Sequence, residues 1–319
     1  MIRWGVVGAG NIAGSFATDL ATLPDTEITV VTSRSASSAQ AFADRWGVHT
    51  VAPTLEAMLD RADIDAVYIA APHTAHHAIA HAALDAGKPV LCEKPLVTNV
   101  ADCEALLAHA TDKQVLLTEA LWSYFLPAWQ RAIRWVQAGR IGAVHKLTVD
   151  FGFDMRPYSP NKRVYNRDLA GGCLLDMGIY PLALAWAVFQ RLPASLHTSA
   201  GFAPNGVEDV FQSRLEYDDG AMALAGASFR TTLPNAAFIA GESGWIELPQ
   251  FWAASECRLW RTDKLVDQFH DRRETIGLNF EIAAFMEDVR AGATQSTVMP
   301  HDSSLNLMRS MAQVRESFA

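Results

Sequence analysis

A chain of 319 residues is too long for one ordinary hydrophobic core and comfortable for two domains. Hydrophobic residues make up 50% and charged residues 19%, which excludes a disordered chain. The formal net charge of −9 argues against a nucleic-acid partner, because phosphate binding takes a surplus of Lys and Arg on some face.

The first third alternates strand and helix. Residues 2–7 read as a short apolar strand. Residues 11–23 place Ile12, Phe16, Leu20 and Leu23 on roughly one helical face. Residues 27–32 are a β-branched strand, and 36–46 a helix stopped by Gly47. A short helix at 55–60, a strand at 65–70, a helix at 75–86 closed by Gly87 and a strand at 90–93 follow. A helix at 100–110 and a strand at 115–118 complete the series. Strands alternating with helices of this length imply right-handed crossovers and a parallel sheet.

After about residue 122 the rhythm changes. Residues 129–138 are helical, and "AVHKLTVDFGF" alternates as a half-buried strand should. Residues 174–189 form a long apolar helix. From 196 to 269 come strand-like runs separated by turns such as "EYDDG", and helices at 280–291 and 303–318 end the chain. The expectation is an α/β Rossmann domain (1–121) with a parallel sheet. An α+β domain (122–319) with a mostly antiparallel open sheet follows it, its C-terminal helix packing back on the first domain.

The cysteines Cys92, Cys103, Cys173 and Cys257 form no C-x-x-C, which argues against a zinc ribbon or redox motif. "MIRWGVVGAG" begins a strand at once and lacks the pattern of a signal peptide. No long apolar run suggests a membrane span. A reducing cytoplasm is the expected compartment.

"WGVVGAGNIAGSFA" holds Gly8, Gly10 and Ala13 as G-x-G-x-x-A between the first strand and first helix. Gly8 permits the tight turn, Gly10 lets the backbone approach a pyrophosphate, and Ala13 keeps helix and strand close. Asn11 and Ile12 open the helix whose free N–H groups face the anion. An NAD site usually offers Asp or Glu about 20 residues past the loop. Here stand Ser33, Arg34 and Ser35, with Ser37 and Ser38 nearby, suited to a 2′-phosphate. NADP is therefore expected over NAD.

The stretch "PVLCEKPL" ends an apolar strand in Glu93 and Lys94 and stops it with Pro95. Together with the glycine loop and "AGGCLLDMGIYP" (170–181), it resembles the glucose–fructose oxidoreductase / inositol dehydrogenase (Gfo/Idh/MocA) family. "EALWSYFLPA" and "GGCLLDMGIY" are most similar to its branch of NADP-dependent dimeric dihydrodiol dehydrogenases and D-xylose dehydrogenases. The resemblance implies a Rossmann domain followed by an open sheet domain, often the interface of a homodimer or higher homo-oligomer. It implies that Lys94 sits beside the nicotinamide with Pro95 in a cis peptide. It also implies that Tyr180 is the catalytic tyrosine and Asp176 the nearby carboxylate.

Chemistry supports those roles. Oxidising an alcohol needs a base for the hydroxyl proton, and tyrosine, with a pKa near ~10, needs a nearby ammonium to act at neutral pH. Asp176 and Tyr180 are spaced for one α-helical face. Sequence leaves open which of Lys94 and Tyr180 takes the proton; Tyr180 is the preferred acceptor.

The loop Ala71, Pro72 and His73, with His76, follows a parallel strand at the sheet edge where a dinucleotide lies. His77 and His81 have a spacing zinc can use, yet no third ligand is suggested, and no metal is expected. Trp122 and Phe125 are candidates for the substrate pocket, and Trp122 also for the cofactor site. Arg163 and Arg167 are candidates for phosphate or substrate hydroxyls, or for a surface ion pair. Phe280 opens the helix where the family commonly closes the cleft. The expected substrate is a sugar or cyclic trans-diol. The alternative is a non-catalytic NADP-binding sensor on the same fold.

Overall fold

Trp4 is fully enclosed and fixes the start of the first strand. Its indole meets Phe16 edge-on at 5.2 Å, Phe16 stacks on Tyr68 at 3.8 Å, and its Nε1 donates to Thr26 Oγ1 at 2.9 Å. In the computed structural model, which describes residues 1–318, these residues join β1 (Ile2–Val7), α1 (Asn11–Leu20), β2 (Thr26–Thr32) and β4 (Ala66–Ile69). β3 (Thr50–Val51), β5 (Val90–Glu93) and β6 (Leu117–Ala120) complete a six-stranded sheet ordered β3-β2-β1-β4-β5-β6. Every pairing in it is parallel. Strands buried on both faces read as continuous apolar runs, as "AVYI" and "VLCE" do.

The crossovers are α2 (Ala36–Trp46), α3 (Leu55–Leu59), α4 (His76–Asp85) and α5 (Val100–Lys113). Ser35 caps α2 by accepting the Ser38 N–H, and Asn99 caps α5 by accepting the Asp102 N–H. Gly47 ends α2 in the left-handed conformation.

A second sheet of eight strands has the order β14-β13-β12-β11-β7-β10-β9-β8. Its strands are β7 (Val144–Gly152), β8 (Ser195–Phe202), β9 (Glu208–Glu216), β10 (Met222–Ser228), β11 (Ala237–Gly241), β12 (Gly244–Leu248), β13 (Glu256–Arg261) and β14 (Lys264–His270). All neighbours are antiparallel except β7 with β10. One face is covered by α6 (Pro127–Gln137) and α7 (Ile179–Phe189). Every residue of α7 is buried, which is why "IYPLALAWAVF" is apolar all round. The helical stretch Arg167–Phe189 has the length and composition of a membrane span, but 94% of its apolar window is buried in the protein.

Two helices end the chain, α8 (Leu278–Arg290) and α9 (His301–Glu316). The chain divides into two compact units. One combines Met1–Trp122 with Arg273–Ser304; the other combines Ser123–Arg272 with the residues from Leu305 onward. The second unit is therefore discontinuous, and α8 belongs with the parallel sheet. Asp19 of α1 explains part of that: its buried carboxylate accepts the N–H groups of Ile276, Gly277 and Asn279 at 3.1, 2.9 and 3.2 Å. A carboxylate at a helix N-terminus satisfies free donors and complements the dipole.

Candidate active site

In the first unit, Gly8 turns the chain at the end of β1 with φ +101°, and a Cβ there would meet the Ala70 carbonyl oxygen at 2.4 Å. Glycine is required on both counts. Gly10, the N-cap of α1, has open space around its Cβ position and no side-chain cap on the helix. Ala13 is fully buried. The result is an uncapped helix N-terminus with clear backbone in front of it, which fits the pyrophosphate of a dinucleotide. Asn11 and Ile12 are exposed beside it.

At the end of β2, Ser33 is half-buried and Arg34 and Ser38 are exposed. Ser35 Oγ receives the Ser38 N–H at 3.2 Å and the Ser38 hydroxyl at 3.0 Å. Three further serine hydroxyls thus cluster at the N-terminus of α2 beside Arg34.

After β4, Ala71 and Pro72 are half-buried and His73 is buried in a short 3-10 turn. His76 is fully buried, with Nδ1 at 2.9 Å from the Pro95 carbonyl oxygen and Nε2 at 2.8 Å from that of Ala71. Both nitrogens are engaged by backbone, so His76 holds the loop and does not offer a nitrogen to a ligand. That corrects its expected place among cofactor contacts. Burial pulls its pKa below the ordinary value, against the pull of the two carbonyls.

The Lys94–Pro95 peptide is cis. Glu93 is buried and accepts the Tyr68 hydroxyl at 2.6 Å. The Tyr68 phenol is pushed well above 10 by burial and by the Glu93 charge, so it stays a donor. This gives Glu93 the structural task that sequence left blank: it anchors the residue before Lys94 to β4. Trp122, buried, ends this unit, and Phe280 is half-buried on α8.

In the second unit, Tyr180 stands in the first turn of α7, 6% exposed. Its ring meets Phe151 edge-on at 5.2 Å and Trp252 at 6.2 Å. Asp176 accepts from Arg163 at 2.6 Å. Residues 174–178 form a π turn, so Asp176 and Tyr180 do not share a face by α-helical spacing. That expectation is corrected: the link from Asp176 runs to Arg163. Two glycines allow it. A Cβ on Gly171 would meet the Arg163 carbonyl oxygen at 2.7 Å, and one on Gly172, at φ +144°, the Glu208 carboxylate at 2.2 Å. Phe125 is buried in this unit, and Arg167 is exposed. An open cavity of about 700 Å³, lined by Arg156, Tyr158, Tyr165, Asp209 and Arg230 among others, includes none of the expected site residues.

His81 meets a third and fourth group that sequence did not suggest. Asp85 lies 3.1 Å from its Nδ1 and 3.2 Å from His109 Nε2, and Lys113 binds the same carboxylate at 2.7 Å. The two imidazoles stack at 3.9 Å, 10° from parallel. A metal lies near the plane of each ligating ring, so stacked parallel rings do not aim at one ion. The arrangement is that of cations and donors sharing a carboxylate.

Residues 2–121 match the model of the oxidoreductase family with an NAD-binding Rossmann fold, and residues 129–247 that of the GFO/IDH/MocA C-terminal domain. The chain belongs to the Gfo/Idh/MocA family. Like other members it is an enzyme, a dehydrogenase or reductase of CH–OH groups. It is 33% identical to the mouse trans-1,2-dihydrobenzene-1,2-diol dehydrogenase over 80% of this chain and 77% of that one. The human protein of that name is 29% identical over 99% of this chain and 96% of that one. Among solved structures, a 3-ketoreductase from Actinomadura kijaniata, in complex with NADP and TDP-benzene, superposes with a TM-score of 0.86 at 27% identity, covering 99% of this chain and 97% of that one. An aldose-aldose oxidoreductase from Caulobacter crescentus, at TM-score 0.89 and 23% identity with the same coverage, shares the fold.

Proposed function

We propose that this Gfo/Idh/MocA enzyme is an NADP-dependent oxidoreductase of a sugar or cyclic trans-diol, oxidising a secondary alcohol or reducing the matching carbonyl. The observation that carries the chemistry is Tyr180: a phenol in the first turn of a buried helix, walled by Phe151 and Trp252. Aromatic walls suit the apolar faces of sugars and of cyclic diols.

Bound NADP would supply the hydride acceptor or donor. The chain's own residues divide the remaining work. Gly8, Gly10, Asn11, Ile12 and Ala13 cradle the pyrophosphate, and Arg34 with Ser33 and Ser38 takes the 2′-phosphate. Ala71, Pro72 and His73 line the dinucleotide's path. Tyr180 accepts the hydroxyl proton in oxidation and returns it in reduction. Lys94 favours the anionic oxygen through its positive charge. The Asp176–Arg163 pair orients substrate hydroxyls, with Trp122, Phe125 and Phe280 as apolar contacts.

The dihydrodiol dehydrogenases and the NADP-bound ketoreductase support this choice of cofactor and substrate class. The test is NADPH formation or consumption over a panel of aldoses, deoxysugars, ketosugars and trans-dihydrodiols, with NADPH binding followed by fluorescence. Turnover on one class supports the reading; tight NADPH binding with no turnover on any member favours a sensor.

We also propose a homodimer through the second sheet. Phe238, 41% exposed, and the stacked pair Trp245 and Trp260, at 5.2 Å, form an aromatic row across β11, β12 and β13. An outward aromatic row of this kind suits a second copy. Sedimentation of the wild type against Phe238→Glu tests it. The four buried free thiols fit a reducing compartment.

A further inference from the structure

Strand β6 carries a glutamate where an apolar residue is ordinary. Glu119 is 3% exposed. Its Oε1 accepts the Leu96 backbone N–H at 2.8 Å, and its Oε2 is buried without a hydrogen-bond partner. Leu96 follows Pro95, which follows Lys94, so this bond ties β6 to the far side of the turn that carries the lysine. In the parallel register Cys92 lies opposite Glu119, and Glu93 opposite Ala120. Carboxyl and turn are thus held by two adjacent strand ends.

A backbone N–H alone does not call for a carboxyl; a glutamine oxygen would accept it. Burying a carboxylate costs several kcal/mol unless a cation offsets it. Burial pushes Glu119 up to about 7, with Glu93 adding to the rise and the Ser304 hydroxyl, the Leu96 amide and the Lys94 ammonium opposing it. The other titratable neighbours carry no compensating charge at neutral pH. The Cys92 thiol is pushed far up by burial and stays neutral. His301 of α9, 3.1 Å from the Leu117 carbonyl oxygen, and His76 beyond Pro95 are both pulled down by burial and are neutral. Lys94 is the cation whose charge favours the Glu119 anion.

We propose that Glu119 is a positioning residue for Lys94: it fixes the Lys94–Pro95–Leu96 turn through the Leu96 amide and keeps the Lys94 ammonium charged. The attraction is mutual, so whatever Lys94 does for the Glu119 anion, Glu119 does for the ammonium. Falling pH removes the counter-charge and leaves the amide contact in place. The consequence for turnover rests on the proposed role of Lys94; the charge relation does not.

Glu119→Gln keeps an acceptor for Leu96 and removes the charge. The direct measurement is the pH dependence of Lys94 acylation by a small amine-reactive reagent, read by mass spectrometry on the full-length protein, with exposed Lys113 as internal reference. The Lys94 midpoint is expected to fall in the variant, with acylation several-fold faster at a fixed pH below that midpoint and Lys113 unchanged. In an active enzyme the acid limb of kcat near pH 7 should flatten in Glu119→Gln. Unchanged Lys94 titration in a folded, NADPH-binding variant overturns the proposal. Should the glutamine variant fail to fold, Glu119→Asp answers: a shorter carboxylate should shift the Lys94 midpoint in part, and an unshifted midpoint again overturns it. A shifted midpoint in a protein without turnover sustains this inference and sinks the proposed function instead.

Discussion

His76 Nδ1 lies 2.9 Å from the carbonyl oxygen of Pro95, so the first turn of α4 holds the turn that carries Lys94. Its Nε2 reaches the Ala71 carbonyl at 2.8 Å, and one ring spans two loops of the dinucleotide edge. A neutral imidazole has a single N–H and serves one carbonyl at a time. Replacement by alanine strands both buried carbonyls, at about 1–3 kcal/mol for each unsatisfied group. The expected result for His76→Ala is a lower unfolding midpoint and weaker NADPH binding at pH 8. The folded-state pKa is depressed by burial. Stability from the neutral ring is therefore present above the unfolded pKa of about 6.5 and lost as pH falls through the lower folded value. Denaturant midpoints measured from pH 8 to pH 5 should converge for wild type and variant as pH falls. Parallel curves would show that the ring does not titrate on folding.

Glu281 gives the opposite sign. It is fully buried on α8, and neither carboxyl oxygen has a hydrogen-bond partner. The charged groups facing it are Glu93 from β5 and Asp19 from α1, with the Tyr68 phenol between β4 and Glu93. Burial and those two carboxylates raise its pKa well above 4.5. A raised pKa means stability that is full below the unfolded value and lost as pH rises through the folded one. Glu281→Gln mimics the protonated form. It should raise the thermal midpoint at pH 8 and make no difference near pH 4.5. A variant less stable than wild type at pH 8 would mean that the carboxylate is ionised and held by a partner.

Arg34 is exposed at the N-terminus of α2, beside the Ser35, Ser37 and Ser38 hydroxyls. A charge-assisted contact to phosphate contributes about 1.5–3 kcal/mol. Arg34→Ala should lower the NADP over NAD ratio of kcat/KM by roughly 10- to 100-fold, mostly through KM. An unchanged ratio would mean that the serines and the helix N-terminus select the cofactor alone.

The parallel half was readable because its periods are clean: Val90–Glu93 and Ala36–Trp46 fall where the pattern puts them. β3, two residues long, has no period to detect. β6 begins at Leu117 because α5 runs on to Lys113 and Gln114 turns left-handed, at φ 55°. The apolar run at 115–118 had suggested an earlier start. The π turn at 174–178 was hidden, since one extra residue in a turn changes no hydrophobic pattern when all sides are buried. The attachment of α8 rests on Asp19, more than 250 residues away, as its bond to Gly277 shows. Two signals for the buried carboxyls were present and not used: "LLTEALW" sets Glu119 inside an apolar run, and Glu281 shares the buried side of α8 with Ile282, Phe285 and Met286.

Tyr180 is the most exacting test of the proposed chemistry. Its ring is held edge-on by Phe151 at 5.2 Å, a contact that phenylalanine reproduces. Tyr180→Phe therefore removes the hydroxyl and leaves the packing, so the unfolding midpoint and NADPH affinity should stay near wild type. A positioned proton carrier contributes about 10²–10⁴-fold, and kcat should fall by that factor with KM little changed. Asp176→Asn breaks the charge of the pair with Arg163 and should raise KM more than it lowers kcat, if the pair orients substrate hydroxyls. A Tyr180→Phe enzyme with near wild-type kcat would move the proton to Lys94, and Lys94→Met would then be the variant that abolishes turnover.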